Sequence, residues 1–476
     1  MEKNRKLIFL VYIPILLGVF FCILYFIYLI QKDHKLVEIQ RKEIAVDKIL
    51  SSAVANTVSF TEDIIELSKG HTTPNFYLND FTGIKQEFLN KEVDFIEANL
   101  PEMKLRIFKE GENTKEFTII KKGNPDSWGG TAAGIYEIES GFESSYSAAS
   151  EVYMPYAMKF YGKYYLHGEP YYPGGAKLIS NFSGGCLRLK DEDAKEVYET
   201  AELKMPILVI DKLNDNYEYP KQVSNTFPNI STQHYLIADL DSGFVFAEKN
   251  SDKQRPIASI TKLMTALVVA ENINLKKSIT VKDWMLTGYG SSNNLVKDDS
   301  LRVIELLYPL LVESSNNAAE VISYFLGRDN TIKLMNEKAK AILMPNTVFT
   351  GPSGYDSGNI STARDLFYLA RYIKNNRPPI FKITRGESVP NFGTVGFDIT
   401  QLWNKNVFFE DDTFVGGKTG FILESKYNGL FIFKFKTKDN QERNVAIILL
   451  GSQHQANLKS DAQKAYIFLQ KNYFTL

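Results

Sequence analysis

The sequence predicts a multidomain chain: an N-terminal membrane-spanning helix, then a mainly-β domain, then an α/β domain. Three observations predict it. Leu7 to Ile30 runs for 24 residues without a charge. From about residue 92 to residue 211, short alternating or β-branched segments such as KLRIF, EFTII and GIYEI lie between Gly, Pro and Asn turns. From YLIADLDSGFVFAE onward, strands mix with clear helices such as SITKLMTALVVAEN.

At 476 residues the chain is long enough for two or three domains, each with its own core. A net charge of −1 argues against a general nucleic-acid binder. No fixed-period repeat or low-complexity tract is present. The apolar run, at about 1.5 Å per residue, crosses a bilayer core of roughly 30 Å. A cleaved signal peptide has a shorter core and a small-residue cleavage site, whereas this run ends in QKDHK. Lys3, Arg5 and Lys6 before it favour a cytoplasmic N-terminus. The expectation is a retained single-pass anchor, with residues 31–476 on the extracytoplasmic side of the cell membrane. Residues 1–30 are then stub and anchor, and 31–90 a stalk that begins at helical spacing in HKLVEIQRKEIAVDKILSS. Residues 91–212 form the first domain, 213–230 a linker around LNDNYEYPKQVSNTFPN, and 231–476 the second domain.

That placement bears on the two cysteines. Outside the membrane, paired cysteines become disulfides. Cys22 lies in the expected span, which leaves Cys186 a free thiol, either inert or reactive for a purpose. Cys186 stands in SNFSGGCLRLKDEDAKE, 19 residues after His167. A thiol needs a base near neutral pH, and an imidazole supplies one. The preceding glycines let the backbone turn, so that the N–H groups of Gly185 and Cys186 face a developing oxyanion. Arg188 suits a carboxylate, and DEDAKEVYE reads as a helix start.

Residues 92–211 resemble the L,D-transpeptidase catalytic domain on these residues. In that family a His-Gly pair precedes Ser/Thr-His-Gly-Cys, an aliphatic residue and Arg or Asn by some fifteen residues. Here the counterparts are His167-Gly168 and SGGCLR at 183–188, with WGGTAAGIYEI and MPYAMKFYGKYYLHG upstream. The resemblance implies a mainly-β sandwich with Cys186 as nucleophile and His167 as base. Two positions depart from the pattern: Gly184 replaces the usual second histidine, and Ala132 stands where a Thr-Pro-x-Gly turn is usual.

The second domain holds Ser259-Ile260-Thr261-Lys262 at the start of a helical stretch. Ser and Lys three apart share a helix face, and a lysine held neutral by burial or a nearby cation can take the serine proton. Ser314-Ser315-Asn316 follows in LLVESSNNAAEVIS, and Lys418-Thr419-Gly420 in FVGGKTGFI. The trio in this order belongs to β-lactamases and penicillin-binding proteins. With GPSGYDSGNISTARDLFYLARYI, residues 231–455 resemble the low-molecular-mass penicillin-binding proteins of the D-alanyl-D-alanine carboxypeptidase group, more than the β-lactamases.

That resemblance implies an antiparallel sheet covered by helices, with Ser259 between the two parts. Ser259 is the implied nucleophile, Lys262 its base, and Ser314 a proton relay. Asn316 holds the substrate amide; Lys418 and Thr419, with Gly420 after them, hold its terminal carboxylate. The N–H groups of Ser259 and Phe421 form the oxyanion hole. Ser315-Asn316-Asn317 also fits S-x-N, and Ala318-Ala319 favours the first frame.

The combined expectation is a membrane-anchored, two-headed peptidoglycan enzyme. A serine D,D-carboxypeptidase trims stem pentapeptides, and a cysteine L,D-transpeptidase forms 3→3 cross-links from the tetrapeptides. β-Lactams are the expected inhibitors, with no metal, cofactor or nucleic acid. The alternatives are a D,D-endopeptidase with an L,D-hydrolase, or a non-catalytic wall-binding scaffold.

Overall fold

A computed structural model of the protein describes Leu78 and residues 81–474, apart from residues 149, 213–214, 216, 221–222, 224, 287–294 and 390–394. The expected span at 7–30 and most of the expected stalk lie outside the described residues. Among the described residues no helix is long and apolar enough to cross a membrane.

The last ten residues assigned to the stalk form helix α1 (Phe81–Asn90), which buries Ile84 and Phe88. Phe88 meets Phe95 edge-on at 5.2 Å, so this turn of chain belongs to the folded body. Strands β1 (Phe95–Asn99), β2 (Lys104–Lys109), β3 (Glu112–Thr118) and β4 (Gly134–Glu137) follow. Next come β5 (Ser140–Ser147), β6 (Val152–Tyr161), β7 (Tyr164–His167), β8 (Leu187–Arg188), helix α2 (Asp191–Thr200) and β9 (Pro206–Ile210). They make one sheet in the order β3-β2-β1-β9-β4 and a second in the order β5-β6-β7-β8. β1 (FIEAN) and β9 (PILVI) are buried along their whole length because they pair in parallel inside the first sheet. Ile96, Leu105 and Ile107 of the first sheet share a core with Met158, Leu166 and Leu187 of the second and with Ala194 and Val197 of α2.

The second domain opens with β10 (His234–Asp239), β11 (Val245–Lys249) and β12 (Arg255–Pro256), then helix α3 (Thr261–Asn272). β13 (Ser278–Thr280) and β14 (Ser300–Arg302) pair, and lead to α4 (Val303–Leu311), α5 (Asn316–Ser323) and α6 (Arg328–Ala341). β15 (Ile360–Ser361) pairs with β12 before α7 (Ala363–Asn376) and α8 (Pro379–Thr384). The chain closes with β16 (Phe414–Ile422), β17 (Lys426–Lys436), β18 (Glu442–Ser452) and α9 (Gln455–Asn472). The main sheet, β11-β10-β18-β17-β16, is antiparallel throughout. Period-two alternation sorts its two faces. Leu236, Ala446 and Ile448 face the helical core with α3 and α7, while Ile237, Ile447 and Leu449 face α9.

Helix α3 has no polar face: every residue from Thr261 to Glu271 is buried, Lys262 and Glu271 included. A helix apolar nearly all round sits at the centre of its domain. Described residues of the 213–230 stretch pack against the second domain. Tyr219 packs among Phe244, Phe246 and Tyr473 and donates to Asp239, while Asp215 pairs with Arg443. Both sheet systems fall within one compact unit. Trp128 and Ala133 of the first domain join the helical core of the second, and Ala341 of the second joins the core of the first.

Candidate active sites

Ser259 lies in a single 3₁₀ turn, Ala258–Ile260, that feeds directly into α3. Ala258 has φ +50°, a left-handed conformation costly for a residue with a Cβ, and such strain gathers at functional positions. Lys262 is fully buried one turn on. Its Nζ is 2.7 Å from Asn316 Oδ1, 2.6 Å from the Ser353 carbonyl and 2.9 Å from Ser259 Oγ. The first two can only accept. A neutral amine has two N–H bonds, which they take, and its lone pair is left for the serine hydroxyl. Burial first, then the charges of Lys418 and Lys405, hold the Lys262 amine well below its usual range. The site therefore favours the proton-accepting form of Lys262.

Ser315 caps helix α5, its Oγ accepting from the Ala318 N–H at 3.1 Å. That duty separates the two frames of the S-x-N motif. Ser314, held at φ +60°, lines the cleft together with Ser259 and Asn316. Asn316, expected at a substrate amide, also gives its Oδ1 to Lys262.

β16 brings Thr419, Gly420 and Phe421 to the cleft. A Cβ on Gly420 would stand 2.8 Å from the Ser259 N, so glycine lets the strand lie against the nucleophile. Lys418 is buried, its Nζ donating to the Thr419 carbonyl at 2.9 Å. Burial and the nearby Lys405 lower it to about 7. Thr419 Oγ1 donates to the Lys405 carbonyl, and the Phe421 and Tyr427 rings lie 4.4 Å apart at a tilt of 32°. The cleft holds about 740 Å³ and also takes in Tyr355, Trp403 and Lys405. Lys405 escaped the sequence reading. The stretch WNKN carries no spacing rule, and only the fold sets this charge beside two other lysines.

In the first domain, parallel pairing of β7 with β8 sets Leu166 opposite Leu187 and His167 opposite Arg188. The leucines fill the core. Alternation puts His167, Cys186 and Arg188 on the other face. His167 is buried, and its Nδ1–H donates to the Gly168 carbonyl at 2.6 Å, which leaves Nε2 unprotonated. Burial lowers its pKa to about 4, so it is neutral at pH 7. Burial raises the Cys186 thiol, against the Tyr165 N–H and the charges of Arg188 and Lys163. At rest Cys186 is thus a thiol and His167 a neutral imidazole. The thiol keeps partial solvent access, and Sγ donates to the Lys163 carbonyl at 3.8 Å.

Two expectations change here. The Gly185 N–H, expected to face an oxyanion, donates instead to Ser183 Oγ at 3.0 Å, and Ser183 in turn donates to the Cys186 carbonyl at 2.5 Å. Glycine is needed at 185 for space: at φ +119° a Cβ would lie 2.3 Å from Tyr164 Cε1. Arg188, expected at a substrate carboxylate, is buried and donates to Ser180 Oγ at 2.9 Å; its Nε–H has no acceptor among the described residues. Gly184, where the resemblance would place a histidine, faces open space. Ala132 is buried in the first core.

Comparison with known proteins follows the same division. A family model described as D-alanyl-D-alanine carboxypeptidase matches residues 221–453, and one described as L,D-transpeptidase catalytic domain matches residues 94–209. A D-alanyl-D-alanine endopeptidase of Haemophilus influenzae is 36% identical over 214 residues, 44% of this chain and 72% of that protein. The D-alanyl-D-alanine carboxypeptidase DacC of Escherichia coli is 30% identical over 222 residues, 42% of this chain and 53% of that protein. The solved structure of penicillin binding protein 6B from Escherichia coli is similar at 24% identity and a TM-score of 0.46, covering 55% of this chain and 82% of that one. The chain belongs to the D-alanyl-D-alanine carboxypeptidase family and carries, in the same polypeptide, an L,D-transpeptidase-type domain.

Proposed function

We propose that this protein trims and re-links peptidoglycan stem peptides with two nucleophiles. The observation that carries the reading is the Lys262 amine, whose two obligate acceptors leave its lone pair for Ser259 Oγ at 2.9 Å. Ser259 Oγ attacks the carbonyl of the penultimate D-alanine while Lys262 takes its proton. The peptide C–N bond breaks, the terminal D-alanine leaves with a proton relayed through Ser314, and water hydrolyses the ester. Lys418, with Thr419, binds the terminal carboxylate, whose charge restores the proton of an amine held near 7.

In the first domain, His167 Nε2 takes the Cys186 proton as sulfur attacks the carbonyl of the third stem residue. The fourth residue leaves, and an acceptor amine resolves the thioester into a 3→3 link. A neutral imidazole and a raised thiol suit proton transfer during attack.

The product of the first reaction is the donor of the second. The two sites lie near opposite ends of α3, whose 12 residues span about 18 Å. The two scissile bonds of one stem are one residue apart, about 3.5 Å when extended. One stem cannot present both of its bonds without being released, so the fusion acts by raising local concentration. Residues 7–30 are read as the anchor that keeps both heads at the wall face of the membrane; fractionation of the full chain against one lacking residues 1–30 tests this.

Double labelling tests the reading itself. A labelled penicillin should acylate Ser259 and a carbapenem Cys186, each located by peptide mass; failure of both would favour a wall-binding scaffold. A second reading of the serine site, D,D-endopeptidase, is favoured by the name of the 36% identical relative. Turnover of a cross-linked dimer in preference to a pentapeptide would select it.

The third lysine gives a signed prediction. In Lys405→Met a like charge leaves the vicinity of Lys262 and Lys418, so both amines rise in pKa. Acylation needs Lys262 neutral. The acid limb of the penicillin acylation rate should therefore move to higher pH by roughly half to one unit. A limb that stays put or moves down would remove Lys405 from the account.

A further inference from the structure

The contact between the two domains is built from buried charge. Glu271, near the end of α3, pairs with Lys338 of α6 at 2.8 Å and with Arg377, just after α7, at 3.1 Å. All three are fully buried. Tyr372 donates to Glu271 at 2.5 Å. The first domain supplies phenols to this cluster. Tyr136 accepts from Lys338 at 2.7 Å, and Tyr164 accepts from Arg377 at 2.5 Å. Lys163 adds a separate latch. Its Nζ donates to the carbonyls of Ala270 and Ile273, 3.3 Å each, at the C-terminal end of α3, where a cation is favoured. Desolvating such charges cancels much of what their pairing gains, so stability alone does not account for them; they fix geometry.

What they fix is the turn that carries the thiol. The Tyr164 ring lies so close to Gly185 that no side chain fits there. The Lys163 carbonyl is the acceptor of the Cys186 thiol. Two of the residues that touch the cysteine turn are therefore held by the serine domain. The reverse does not apply. Lys262, at the other end of α3, is held by Asn316 and Ser353 of its own domain and lies against Ser259 Oγ.

We propose that Arg377 and the C-terminal end of α3, parts of the serine domain, position the cysteine site through Tyr164 and Lys163, so that the cysteine site is complete only on the serine domain. This rests on the reading of Cys186 as a nucleophile. Arg377 and Tyr164 are positioning residues; neither touches substrate.

The test is carbapenem acylation of Cys186 and penicillin acylation of Ser259, both measured on the full chain. Tyr164→Phe removes one oxygen and keeps the ring against Gly185. Its saturating rate of Cys186 acylation should fall about tenfold, with the half-saturating carbapenem concentration unchanged and Ser259 acylation within twofold of wild type. Arg377→Met should fall further, and Arg377→Lys, which keeps the charge but not the fork, should recover part of the loss. Equal Cys186 rates in wild type and Tyr164→Phe overturn the proposal, as does an equal loss at both nucleophiles. A wild type whose Cys186 is not acylated at all overturns the nucleophile reading itself, and this proposal with it.

Discussion

Lys262→Met should lower penicillin acylation of Ser259 by about a thousandfold, the contribution expected of a positioned general base. Methionine fills the lysine's volume without a lone pair. The substitution removes the Lys262 donor from Asn316 Oδ1 and from the Ser353 carbonyl, and losing a buried hydrogen bond costs about 1–3 kcal/mol. It also removes a buried amine whose charge Lys418 and Lys405 disfavour. These effects oppose each other, so the melting temperature should move by only a few degrees while acylation collapses. Rates are to be read by stopped-flow labelling across pH. Acylation within tenfold of wild type would mean that another group takes the Ser259 proton.

Cys186→Ser should abolish the carbapenem adduct in the first domain and all 3→3 product, with Ser259 acylation kept within twofold. The substitution is nearly isosteric and the thiol's acceptor, the Lys163 carbonyl, also accepts from a hydroxyl, so the turn is preserved. What is lost is nucleophilicity: a thiol already raised by burial still ionises far more readily than an alcohol. Persistence of 3→3 product in this variant would assign the chemistry elsewhere.

The serine site was legible because its parts sit at fixed offsets. Ser259 and Lys262 are one helical turn apart, and Lys418, Thr419 and Gly420 are consecutive on β16. The steric need for Gly420 follows from the strand's approach to Ser259 and has no trace in the sequence beyond the glycine itself. What bears on the choice between Ser314 and Ser315 is the helix cap made by Ser315, which a pattern of polar residues cannot show. At the cysteine turn, His167 and Cys186 were legible as a pair of residue types, whereas the duties of Gly185 and Arg188 depend on Ser183, Ser180 and Tyr164.

The domain contact was not legible at all. Glu271 closes a helical run that reads as ending in a polar residue, Lys338 sits in the strongly charged NEKAKA, and Tyr136, Tyr161 and Tyr164 read as ordinary strand residues. Each becomes informative only when elements far apart in sequence meet: Lys338 lies 4.8 Å from the Tyr161 ring and donates to Tyr136 across 202 positions. The 213–230 stretch misleads in the same way. Its Asn and Pro content signals a linker, but Tyr219 is buried among aromatics of the second domain.

The most direct measurement of the two-headed account is mass analysis of products from a stem pentapeptide supplied to wild type, Ser259→Ala and Cys186→Ala. The account predicts tetrapeptide and 3→3 dimer from wild type, tetrapeptide alone from Cys186→Ala, and neither from Ser259→Ala, with the dimer restored when tetrapeptide is supplied to Ser259→Ala. As much 3→3 dimer from pentapeptide in Ser259→Ala as in wild type would contradict it.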